Sequence, residues 1–216
     1  MKLADLVGKL ENENVPQKKH FANTEGSLLK LIQIAYERGL DEFNNSSINL
    51  SNTPFRILYP FAIRALASIH AHNRDINDWH DRTCSSYDKN PAFYEVFLSR
   101  LCETAADNVS FRLRGHMAQF GAYLNSEKKI RITGWLDVVG DYMHQGTLIV
   151  KTFDSVQLAG PRMSGGILTV EGDVNSAGYA LSGGTIHING RAREIGFLAT
   201  GGKIFVNGVQ QFPRLQ

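Results

Sequence analysis

The stretch GYALSGGTIHING, Gly178 to Gly190, decides how the C-terminal half of this chain is read. It holds a double glycine, Gly183-Gly184, then two apolar residues two apart, Ile186 and Ile188, and then Gly190. The same order recurs at Gly201-Gly202, Ile204, Val206, Gly208 and at Gly165-Gly166, Leu168, Val170, Gly172, with a step of 18 residues between successive double glycines. A degraded form continues upstream through Leu148, Val150, Thr152, through Ile130, Ile132, Gly134 and through Phe111, Leu113, Gly115. Its first apolar members are then spaced by 19, 18, 20, 18 and 18 residues. Two further columns keep pace: Gly121, Gly140, Gly160, Gly178, Gly196, and Leu124, Met143, Met163, Leu181, Ala199.

Self-similarity at this period implies stacked supersecondary units. Alternation such as Ile186-His187-Ile188 turns two side chains inward and one outward, so each unit contains a short strand with one buried face. A unit this short has no room for a helix and return, but at about 3.3 Å per residue it closes one coil of a solenoid. Ile130, Leu148, Leu168, Ile186 and Ile204 would then stack as one interior ladder, and Ile132, Val150, Val170, Ile188 and Val206 as a second. The glycines mark corners, where the backbone takes positive φ or passes too close to a neighbouring coil for a Cβ. An antiparallel meander is the competing reading, and the turn dipeptides Asn189-Gly190 and Asn207-Gly208 speak for it.

Residues 160–208 closely, and 111–159 more loosely, resemble the GxGxG β-helix domain found at the C-terminus of the glutamate synthase large subunit and in the C subunit of formylmethanofuran dehydrogenase. The resemblance implies a right-handed parallel β-helix that buttresses catalytic parts supplied by other domains, and it carries over no catalytic residue. The chain lacks the enzyme domains of either relative, and its first three coils have lost the double glycine.

The N-terminal half has a different texture. Residues 1–23, charged and interrupted by Pro16, read as a loose arm. One helix is expected from Ser27 to Gly39, before a polar loop over residues 44–52. A second starts at Thr53-Pro54 and runs through Phe55, Leu58, Ala62, Ala65, Leu66 and Ile69, with Pro60 kinking it or resetting its start. A third starts at Asn90-Pro91 and runs through Phe93, Tyr94, Phe97, Leu98, Leu101 and Cys102. The expected architecture is α+β, mainly β: a small helical domain at 24–107, a parallel β-helix of about six coils at 108–208, and a tail at 209–216. The helix from Pro91 to Asp107 is expected to cover the open first coil.

Composition excludes more than it selects. A chain of 216 residues with 43% hydrophobic and 20% charged residues is ordinary globular material, and no apolar run is long enough for a membrane span. Two cysteines, Cys84 and Cys102, suggest no disulfide framework, and a cytoplasmic location is expected. Residues 1–110 carry 12 basic against 14 acidic side chains, and residues 111–216 carry 11 against 7. That excess is too mild to demand nucleic acid, and Arg112, Arg114, Lys128, Lys129 and Arg131 read as solvated charge on an outer face.

The densest set of potential metal ligands is His70 and His72, followed by Asp75, Asp78, His80, Asp81 and Cys84. Zinc or iron needs three or four such groups converging on one point, and no spacing here matches a closed site, so His70, His72, His80 and Asp81 stay weak candidates beside a plain capping role. On the solenoid, Asp137, Ser155, Asn175 and Arg193 are placed in one outward column. Asp137 and Asp154 form the only near pair of acids, and Trp135 and Phe153 share a column. His116, His144 and His187 fall in different columns, and no nucleophile triad or phosphate loop is present.

The reading is a non-catalytic structural or protein-interaction module with no cofactor. The alternative is a carbohydrate-active or metal-dependent enzyme with its site between the helical domain and the β-helix. A protein partner or a homo-oligomer is expected, with a dimer through the C-terminal end favoured over a tail in which Phe212 plugs the last coil.

Overall fold

A computed structural model of the chain describes residues 24–46, 55–67, 69–84 and 90–213. Among the described residues four helices precede a parallel β-solenoid of about five turns. The expected arm at 1–23, the Thr53-Pro54 helix start, most of the polar loop and the last three residues lie outside the described residues.

Helix α1 spans Thr24–Asn44, α2 Phe55–Leu66, α3 Asn73–Thr83 and α4 Pro91–Glu103. Three of these helices differ from expectation. Helix α1 begins before Ser27 and runs past Gly39, which is no cap: a Cβ there would stand 2.9 Å from the Phe93 ring and 3.0 Å from Ala65, so glycine serves close helix packing. Helix α2 stops at Leu66, short of Ile69, and contains Pro60. Helix α3 occupies a stretch expected to be a polar helix end, because its buried face mixes Ile76 and Trp79 with Asp75 and His80 and leaves little apolar periodicity to read. Tyr36 gathers this part of the core, with Trp79, Phe93, Tyr94 and Phe97 around it at ring-centroid distances of 5.7, 5.6, 5.9 and 5.3 Å.

The solenoid is built from β1 Val109–Phe120, β2 Lys129–Val139, β3 Thr147–Thr152, β4 Val156–Ala159, β5 Ser164–Glu171, β6 Val174–Ala177, β7 Gly183–Asn189, β8 Ala192–Ile195, β9 Lys203–Val206 and β10 Val209–Phe212. One parallel ladder runs β1-β2-β3-β5-β7-β9, and a second runs β2-β4-β6-β8. Both interior columns are realised: Ile130 pairs with Leu148, Leu148 with Leu168, Leu168 with Ile186 and Ile186 with Ile204, all at 0% exposure. The meander is therefore excluded for the body of the solenoid. One continuous cluster of buried apolar residues runs from Leu31 in α1 to Ile204 in β9.

The double glycines divide two tasks. At Gly165, Gly183 and Gly201 an added Cβ would lie 2.1, 2.2 and 2.3 Å from a carbonyl oxygen of the preceding coil. At Gly166, Gly184 and Gly202 the backbone takes φ of +77°, +80° and +78°.

Two registers differ from expectation. Val109, not Phe111, pairs with Ile130, and Phe111 pairs with Ile132. A bulge between Arg112 and His116 absorbs the surplus residues, and Leu113 packs where a Cβ on Gly134 would sit 2.6 Å away. In the third coil Val138 pairs with Leu158 and the Asn175 amide reaches Gln157 at 2.7 Å, so Gln157 rather than Ser155 lies beside Asn175. The extra residues are accommodated in the Phe153–Ser155 corner.

The C-terminal end also departs from expectation. Strand β9 does not end the sheet with an uncovered edge, because β10 folds back antiparallel along it. The turn is Asn207-Gly208, with φ of 50° and 80°, the hairpin geometry that Asn-Gly favours. Phe212 then lies 2.7 Å from where a Cβ on Gly196 would be and packs against the core, which is the plugging tail rather than a bare end.

Candidate functional site

The first coil has no preceding coil to receive its backbone N–H groups, and a buried N–H without an acceptor is costly. Side chains from α3 and α4 take that place. Asn73 Oδ1 accepts from Ser110 N–H at 2.7 Å, and His80 Nε2 from Arg114 N–H at 3.2 Å. Glu95 receives Ala118 N–H at 2.7 Å and Gln119 N–H at 3.1 Å, one on each carboxylate oxygen. Ser99 Oγ accepts from Gly121 N–H at 3.1 Å and Glu103 Oε1 from Asn125 N–H at 2.9 Å. Glu95, Ser99 and Glu103 stand four apart, so one stripe of α4 runs along the strand edge. All three are buried, at 1%, 6% and 5% exposure. Glu103 is further held by the Tyr59 hydroxyl at 2.7 Å and by Arg100 at 2.5 Å.

The four metal candidates of the sequence are drawn into this cap or beside it, not together. His80 is buried, and because Nε2 accepts from Arg114 its ring proton sits on Nδ1, facing the Tyr94 hydroxyl at 2.8 Å. Burial holds its pKa below the ordinary 6.5, the nearby Arg114 adding to the effect and Asp81 opposing it. Asp81 pairs with Arg114 at 2.6 Å, His72 precedes α3 and lies 3.5 Å from Asp107, and His70 stands 3.4 Å from the Thr104 carbonyl. Among the described residues no group of three or more His, Cys, Asp or Glu is placed to hold a metal ion.

The outer surface of the solenoid carries two ruled corners. At the first, Tyr123, Tyr142, Arg162, Ala180 and Leu198 all take φ between 50° and 60°, stacked coil upon coil. Tyr123 and Tyr142 stack at 5.1 Å with 4° between their planes, and the Arg162 guanidinium covers Tyr142 at 4.3 Å. Arg162 also grips Asp141 through two bonds of 3.1 and 2.8 Å. Burial nevertheless pushes the Asp141 carboxyl above its ordinary range. Further along, Phe197 and Leu198 are 59% and 60% exposed where the coils end.

At the second corner lies a groove of about 730 Å³, lined by residues that include Phe153, Asp154, Asp173, Arg191 and Arg193. Trp135 and Phe153 meet there edge to face at 4.9 Å, as their shared column implies, and the Arg112 guanidinium lies 5.2 Å over Phe153. Arg191 binds one carboxylate oxygen of Asp173 through Nε and Nη2, at 2.9 and 2.6 Å, and holds that carboxyl below its usual range. Asp137 is bonded to His116 at 2.9 Å. A glycosidase pairs an ionised acid with a protonated one, and Asp173 meets only the first requirement. His144 reaches Ser164 at 2.5 Å, and His187 stacks on Phe205 at 5.1 Å, so the three outward histidines form no common column.

The cap residues escaped sequence reading because Glu95 and Ser99 look like solvated positions on an apolar helix. Their four-residue spacing with Glu103, on the side facing the open strand, is the one signal that could have exposed them. Comparison of the chain with protein-family models, with curated proteins and with solved structures finds no match.

Proposed function

We propose that this chain is a non-catalytic structural or protein-interaction module: a β-solenoid sealed at one end by its own helices and joined to a second copy at the other. One observation carries the reading. The buried polar side chains of the helical segment, His80, Glu95, Ser99 and Glu103, serve as acceptors for the backbone of the first coil, which makes that segment a lid. On this reading segments 24–107 and 108–208 form one cooperative body. A chain beginning at Val109 that stays as soluble and heat-stable as the full chain would remove the lid from the argument.

We put the second copy at the C-terminal end, where among the described residues β8 pairs with β6 alone and Phe197, Leu198 and Val209 are exposed. Light scattering should report a dimer for the full chain and a monomer for Leu198→Asp. A monomeric full chain rules this association out. The double-glycine repeat over residues 160–208 supports placing the solenoid with the GxGxG β-helix domain and giving it a right-handed coil. Free thiols at Cys84 and Cys102 suit a cytoplasmic setting.

The groove beside Phe153 favours a second reading, a carbohydrate-active protein, with the site on the solenoid corner. Release of reducing ends from a polysaccharide panel by the full chain, lost on Asp154→Asn, would put this reading first.

A further inference from the structure

The first three coils display a group of exposed cations on one face. Lys129 and Arg131 point outward from β2, and Lys151 from β3. Arg112 on β1 and Lys151 lie in one column with Thr133 between them. All four are exposed, and among the described residues no acidic side chain forms an ion pair with any of them. With coils about 4.8 Å apart and alternate residues about 6.6 Å apart, they form a grid of like charge, bounded by the Phe153 ring under Arg112 and by Glu171 beside Lys151 on the next coil. Apolar surface adjoins the grid on both sides: Trp135 and Phe153 at 43% and 41% exposure at the corner, and Ile167 at 44% on the neighbouring rung. Tryptophan and arginine together are the usual anchors of a protein interface.

Building on the interaction-module reading, we infer that this face of the first coils docks an acidic segment of a partner protein that also carries apolar side chains. Charge complementarity selects the acidic component, and Trp135 with Ile167 the apolar one. The extent of the patch argues against a nucleic-acid strand. Glu171 follows Lys151 in its column, so a phosphate chain leaving the cations along that column would meet a carboxylate. A short acidic segment ends within the patch.

The test is fluorescence anisotropy of the full chain with three labelled probes: a short synthetic peptide alternating glutamate with leucine, its serine–leucine counterpart, and an oligothymidylate. The glutamate–leucine peptide should bind and the neutral one should not, with affinity falling as salt is raised. Arg131→Glu combined with Lys151→Glu should weaken binding by about tenfold or more, and Trp135→Ala by a similar factor. These side chains are exposed, so unchanged thermal unfolding of the variants separates lost binding from lost folding. Failure of the peptide to bind, or equal binding by the charge-reversed variant, overturns the inference, as does a preference for oligothymidylate. A solution dimer abolished by charge reversal here would assign the patch to a second copy and also overturn it. A dimer that survives charge reversal but not Leu198→Asp leaves the module reading intact whatever the peptide does.

Discussion

The two ends of the solenoid meet the same difficulty, a strand edge with no next coil, and solve it by different means. At the N-terminal end the acceptors come from distant side chains: Asn73 and His80 on α3, and Glu95, Ser99 and Glu103 on α4, reach backbone N–H groups between Ser110 and Asn125. At the C-terminal end the chain turns on Asn207-Gly208 and lays its own backbone, β10, beside β9. The first solution buries charge and locks two segments together, while the second is local and leaves Val209 60% exposed. A side-chain cap holds a fixed geometry because each acceptor is packed in a helix. A hairpin cap depends on one turn and part of one phenylalanine.

The contrast predicts that the largest single loss comes from Glu95→Ala, which removes a buried carboxylate accepting from two N–H groups, that of Gln119 buried, and should cost roughly 3–6 kcal/mol in urea unfolding. Glu95→Gln, which keeps one good acceptor, should lose clearly less. Between the ends, where every edge is paired, Ile188→Ala should cost about 2–5 kcal/mol, the range for emptying a buried site in a continuous stack. Phe212→Ala at the hairpin end should cost about 1–2 kcal/mol, because that ring is only partly buried. A Phe212→Ala loss equal to that of Glu95→Ala would mean both ends are sealed alike.

A pH experiment sharpens the same point. The folded pKa of His80 lies below the unfolded 6.5, so the unfolded chain binds the extra proton first. The stability due to neutral His80 is complete above that value and is lost as pH falls through 6.5 towards the lower folded value. Denaturation midpoints at about pH 7.5 and about pH 5.5 should therefore differ more for the natural chain than for His80→Gln. The smallest effect belongs to His187→Ala, whose outward, half-buried ring stacks on Phe205: below about 1 kcal/mol. A loss matching that of Ile188→Ala would reverse the assignment of the strand's faces.

Legibility divides along the same line. The body of the solenoid is readable because identical side chains recur where coils touch, and both ladders from Ile130 to Ile204 and from Ile132 to Val206 appear as expected. The first coil is offset by two residues from its expected alignment because the bulge after Arg112 takes up two surplus residues. Ser155 departs from its expected column for the same kind of reason, extra residues absorbed in a corner. Asn189-Gly190 and Asn207-Gly208 are the same dipeptide with opposite fates. Gly190 has the Gly172 carbonyl 2.2 Å from where its Cβ would be and continues the coil, whereas Gly208 has nothing within 4 Å and closes a hairpin. After Gly190 the chain continues as β8 and pairs parallel with β6, whereas after Gly208 it returns as β10 and pairs antiparallel with β9.

The sequence by itself determined the repeat: its period, its inward columns and the need for glycine at the corners, all set by short-range geometry that any coil of this length must obey. Only the tertiary structure decided what the polar residues of the helical half are for. His70, His72, His80 and Asp81 look alike as a string of potential ligands, yet His80 is a buried acceptor, Asp81 half of an exposed ion pair, and the other two lie among capping contacts. The physical reason is that a hydrogen-bond acceptor takes its role from the donor it meets. Here the donors are backbone N–H groups of a strand more than 20 residues away, at a distance no local pattern encodes.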